Sequence, residues 1–145
     1  MKRIILLIIT SFLLPLGSFA QLEEEGFEGT WPPSGWGVYD NGIGLAHSWQ
    51  KTIAGSAATP PHTGSHAAYI QKDNVLVGMP QDWLITPQFT VPENAQLRFY
   101  SRLTFPLDQG GIYEVRVSES ADQAALGSYT LLQSWTETEI NPSQL

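Results

Sequence analysis

The sequence predicts a single all-β domain, an antiparallel sandwich or barrel, on three observations. Thirteen glycines and ten prolines are spread through 145 residues, a composition that suits short strands joined by tight turns and breaks up long helices. Leu97 to Phe105 and Tyr113 to Val117 alternate apolar and polar residues with the period of two that a half-buried strand requires. Strand-like segments recur at short intervals between turn residues, and no internal repeat or long linker divides them.

The chain opens with the basic pair Lys2-Arg3, an apolar run from Ile4 to Leu14 and a small-x-small exit at Ser18-Phe19-Ala20. That is the pattern of a secretory signal peptide cleaved after Ala20. The run is interrupted by Pro15 and Gly17 and falls short of the roughly 18 apolar residues that cross a bilayer, so residues 21–145 are expected to be exported with no membrane span. Without Lys2 and Arg3, five basic residues (Lys51, Lys72, Arg98, Arg102 and Arg116) face fourteen acids. A net charge so negative makes nucleic acid a poor partner. The chain has no cysteine, so outside the cell its stability has to come from core burial, with metal ions as the available supplement.

After the acidic Glu23-Glu24-Glu25, the paired prolines and glycines of Gly26 to Trp36 exclude a regular helix. Trp36 to Asp40 reads as a short strand, Asp40-Asn41-Gly42 as a turn, and His47 to Ile53 as a second strand. Ala54 to Ser65 is a loop by composition and His66 to Gln71 a small-residue strand. Asp82 to Pro87 and Phe89 to Val91 form an apolar strand bent at Pro87, where proline requires an edge or a bulge. Leu97 to Phe105 and Tyr113 to Val117 are expected as neighbours in one antiparallel sheet exposed on one side. Ala121 to Leu126 could make a helical turn, and Tyr129 to Thr138 is a final strand.

The ordered blocks GFEGT-WPPSGW, HTGSHAAYI, QDWLITPQFTV, LRFYSR and YEVRVSES resemble the cleaved-adhesin, or choice-of-anchor J, family. This family includes the hemagglutinin/adhesin domains of gingipain proteases. The resemblance runs from about Glu25 to Thr138. It implies a jelly-roll β-sandwich, similar to MAM and galactose-binding-like folds, exported by a route that in such bacteria is often type IX secretion. It implies further strands beyond Thr138, so the chain is expected to be an incomplete copy of the domain, with exposed edges and part of its core open.

The resemblance also implies structural calcium, with Glu28 as a carboxylate ligand and the turn at Asp40, together with the Ser65-His66 region, as further candidates. Calcium takes six to eight oxygens from loops remote in sequence, so no short motif establishes it. The alternative is that Glu28 accepts hydrogen bonds from a turn and Asp40 caps the Asn-Gly corner. His62 and His66 have the spacing of zinc helices but flank Gly64 in a loop, and His47 lies in a strand segment. There is no G-x-S-x-G elbow and no cysteine nucleophile, so no catalytic residue is assigned. Of the five tryptophans, Trp31, beside the Pro-rich loop, is the candidate for ligand contact. The expected function is a secreted or cell-surface binding module for a protein or glycan. The alternative is a carbohydrate-binding accessory module of a larger secreted hydrolase.

Overall fold

A computed structural model describes residues 24–105 and 108–140; the expected signal peptide lies outside them. The elements are β1 (Gly37–Asp40), β2 (Gln50–Lys51), β3 (Ala68–Tyr69), β4 (Asp82–Ile85), β5 (Ile112–Val117), a 3-10 turn (Leu126–Ser128), β6 (Thr130–Thr136) and the single-turn helix α1 (Glu137–Ile140). The fold is all-β: three two-stranded antiparallel sheets, β1–β4, β2–β3 and β5–β6.

Each pairing follows from a local cause. The Asn41 side chain bridges the ends of β1 and β4, its Nδ2 donating to the Met79 carbonyl at 2.9 Å and its Oδ1 accepting from the Gln81 amide at 3.2 Å. This sets the register in which Asp40 faces Asp82 and Gly37 faces Ile85. β2 and β3 are held by Thr52, whose Oγ1 accepts the Ala67 amide at 2.9 Å. β5 and β6 have an irregularity between Val115 and Arg116, which bends the ladder in the manner of a β-bulge.

Among the described residues the one buried hydrophobic side chain is Ile85, on β4, and no side chain is fully buried. Around it, Trp83 packs on Tyr129 with ring centroids 5.5 Å apart, and the Arg116 guanidinium lies 5.7 Å from the Trp83 ring. Gln123 stitches the connection before β6 to the β1–β4 sheet, its Nε2 donating to the carbonyls of Gly35 (2.8 Å) and Thr86 (2.9 Å).

Six sequence expectations need correction. Leu97 to Phe105 carries no strand, and β5 pairs with β6 instead. Alternation shows that a segment can lie on a sheet, but a ladder also needs a neighbour, and among the described residues this segment has none. Leu97, Phe99 and Phe105 are therefore largely exposed, although Phe99 meets Trp135 edge-on at 6.0 Å. The second and third strands shrink to two residues each, and Phe89 to Val91 is irregular, β4 ending at Ile85 ahead of Pro87. The helical turn expected at Ala121 to Leu126 lies instead at Leu126–Ser128, as the 3-10 turn, sharing only Leu126 with the expected span. The last strand stops at Thr136 because Glu139 Oε2 accepts both the amide and the hydroxyl of Thr136, each at 2.8 Å, the reach-back of a capping box that starts a helix.

Candidate functional site

The N-terminal arm is built around Phe27, which has a positive φ of 60°. A bulky residue adopts that conformation only when surroundings hold it. Here the Phe27 ring lies 6.0 Å from Trp31 and 5.6 Å from Trp36, and its amide donates to Glu25 Oε1. Trp31, the residue singled out for ligand contact, is thus half-buried in an aromatic cluster with part of its surface open.

This backbone delivers Glu28 to the loop before β3. Its Oε1 accepts the Ser65 amide at 2.7 Å and the His66 amide at 3.0 Å. Gly64 makes the approach possible, because a Cβ there would collide with Glu28 Oε1 and its φ is +70°. The Ser65 and His66 amides hold the Glu28 carboxyl below its ordinary acidity value. His66 continues the connection, its Nδ1 lying 2.8 Å from the Thr52 carbonyl, and Lys51 Nζ reaches the Gly29 carbonyl at 2.5 Å. The arm is therefore fastened to the β2–β3 sheet at two points. Both of the Glu28 hydrogen bonds go to Oε1, and Glu28 as a residue is exposed.

Glu137 repeats the device: its buried carboxylate accepts the amides of Gln109 and Gly111.

At the Asp40 turn, Asp40 Oδ1 accepts the Gly42 amide at 2.7 Å. Nearby Asp73 is buried, its Oδ2 accepting the His47 amide at 3.4 Å and its Oδ1 lying 3.8 Å from His47 Nε2 without a hydrogen bond. Burial, followed by the charges of Asp73 and Asp40, pushes the Asp82 carboxyl above its ordinary value. Sequence reasoning passed over Asp73, which in the chain is one loop residue among several. Glu28 and Asp40 thus each spend one carboxylate oxygen on backbone amides, the geometry of the alternative reading. Among the described residues no three acidic, histidine or cysteine side chains gather as a metal-binding group.

Other surfaces also carry polar groups. A shallow groove is lined by Val117, Ser118, Glu119, Ser120, Ser128 and Thr130; the Ser118 and Ser128 hydroxyls bond each other at 2.6 Å. His62 is stacked on Tyr100, with centroids 3.4 Å apart and planes within 8°.

The Cleaved Adhesin Domain family pattern matches residues 20–141. Two curated relatives, both named Hemagglutinin A, are similar to the chain. One, from Porphyromonas gingivalis (strain ATCC BAA-308 / W83), is 32% identical over 114 residues, and the other, from Porphyromonas gingivalis, is 31% identical over 114 residues. Each match covers 75% of this chain but only 5% and 4% of the respective relative, so the chain spans a small fraction of their length. No solved structure matches. No helix among the described residues is long and apolar enough to cross a membrane.

Proposed function

Because the chain belongs to the Cleaved Adhesin Domain family, we propose that it is a secreted or cell-surface adhesin-like module that binds extracellular ligands and performs no catalysis of its own. The observation that carries this reading is the family match over residues 20–141. Similarity to proteins named Hemagglutinin A supports attachment to cell surfaces as the activity, and the signal-like start supports export. The jelly-roll sandwich belongs to the same reading: the antiparallel pairs β1–β4 and β5–β6, which meet where Arg116 of β5 lies over Trp83 of β4, are consistent with two layers of such a fold.

Structural calcium is part of the proposal. Glu28 supports it through its Oε2, which the Ser65 and His66 amides leave unused, and Asp40 offers a second carboxylate whose Oδ2 is not used by the turn. The ion would tie the N-terminal arm to the loops and supply stability that cysteines do not. The test of the functional reading is attachment: the chain immobilised on beads is offered erythrocytes and immobilised matrix proteins, beside a panel of peptide and glycoside substrates. Specific attachment without turnover is the expected result; turnover, or no attachment to either surface, would contradict it.

A further inference from the structure

We propose that Arg98, Tyr100 and Arg102, propped by His62, form a binding surface for a short glycan bearing repeated carboxylate or sulfate groups. The inference rests on the reading of the chain as an extracellular binding module and gives that module a ligand chemistry.

Residues 95–103 run without turn or bend, and Arg98, Tyr100 and Arg102 are all exposed at alternate positions along that run. The two arginines are four positions apart, a reach of at most ~13 Å in an extended chain, with the Tyr100 ring between them in the sequence. Tyr100 is 75% exposed, yet its ring is not loose, because the parallel His62 imidazole covers one face. A flat ring fixed from behind and open in front is a platform for the C–H face of a sugar, and its hydroxyl supplies a polar edge.

The charges single out the same spot. Of the five described cations, Lys51 and Lys72 donate to backbone carbonyls, and Arg116 is engaged with Glu114, the Tyr129 carbonyl and the Trp83 ring. Arg98 bonds only the neutral Gln96 side chain, at 3.0 Å, and neither Arg98 nor Arg102 forms an ion pair among the described residues. In a chain with a formal charge of −7, two unneutralised guanidinium groups flanking a braced ring are an isolated cationic site. Guanidinium forks match carboxylate and sulfate oxygens two at a time. Two such forks on either side of a ring favour a ligand with anions on successive sugars over a single charged sugar. The acidic remainder of the chain repels long polyanions such as nucleic acid, an effect screened over about 8 Å at physiological salt, which restricts the ligand to a short stretch. A peptide adding as a strand here would use main-chain groups and be indifferent to the arginine charges.

The test is calorimetric titration of the chain with four probes: a heparin-derived hexasaccharide (sulfate and carboxylate), a hyaluronan hexasaccharide (carboxylate alone), a neutral N-acetylglucosamine hexamer and a polyglutamate peptide. Binding of the first or both of the first two, but not the neutral sugar or the peptide, is expected, and the hyaluronan arm separates carboxylate from sulfate. R98Q/R102Q should weaken binding at least about tenfold and Y100A about three- to tenfold. R98K/R102K should fall between, and K72Q, which removes a charge elsewhere, should bind like the parent. Equal unfolding temperatures identify variants that fold normally; should R98Q/R102Q melt early, the lysine pair, which keeps the charge, takes its place. No binding of either acidic glycan, unchanged affinity in R98Q/R102Q, or equal binding of polyglutamate would overturn the inference. Attachment to cells that R98Q/R102Q retains would overturn this surface as the adhesive one while leaving the adhesin reading intact.

Discussion

Glu28 occupies the space that a side chain on residue 64 would need: its Oε1 lies against Gly64 and accepts the next two amides of that loop, 37 and 38 residues away in the chain. Gly64 is therefore required twice over, for its φ of +70° and for its missing Cβ. Gly64→Ala should cost about 1–2 kcal/mol from the left-handed backbone alone, and more from displacement of the Glu28 carboxylate. The check is the unfolding temperature beside that of Gly55→Ala, where φ is +75° but the Cβ space is open. Gly64→Ala should melt lower.

The same contact sets an acid dependence. With the folded-state acidity of Glu28 lowered from 4.5 by the Ser65 and His66 amides, its contribution is present above the unfolded-state value and is lost as pH falls through the folded one. Glu28→Gln should flatten the fall in unfolding temperature below about pH 4.5, measured from pH 6 to 3. An identical slope in both proteins would assign the acid sensitivity elsewhere.

Asp82 behaves in the opposite sense. Its acidity value is raised from 3.8 by burial and then by Asp73 and Asp40, so its contribution is present at low pH and lost as pH rises through the folded value. Asp82→Asn should raise the unfolding temperature at pH 7 in EDTA, and the gain should vanish below about pH 3.8. The Trp49 indole bond at 3.1 Å survives the change because it goes to the Asp82 carbonyl.

Ile85 is the buried hydrophobic residue among the described ones, at 7% exposure. Ile85→Ala should cost about 2–4 kcal/mol in denaturant unfolding. Leu76→Ala, at a fully exposed site, should change stability by less than about 0.5 kcal/mol.

What was legible in the sequence divides along the range of the interactions. β1, β4, β5 and most of β6 were readable because their cues are local, either alternation or an apolar run ended by a turn or proline. The Asp40-Asn41-Gly42 turn was readable for the same reason, and Asp40 Oδ1 does accept the Gly42 amide. The stop at Thr136 was missed although Thr136 and Glu139 carry the capping signal. Leu97 to Phe105 shows the limit of alternation, which states what a segment could pair with and not whether a partner is there. The Glu28 clamp and the burial of Asp73 depend on residues 26 to 38 positions distant, and no spacing in the chain announces them.

The most direct test of a calcium-braced adhesive module is attachment of chain-coated beads to erythrocytes in millimolar calcium and in EDTA, for the parent and Glu28→Ala, with unfolding temperatures recorded in the same buffers. A ligand bound only by the native state must raise the unfolding temperature, so attachment and a calcium-dependent rise should both occur in the parent and both diminish in Glu28→Ala. Attachment and unfolding that are the same in calcium and EDTA would contradict the calcium brace, and beads that never attach would contradict the adhesive function.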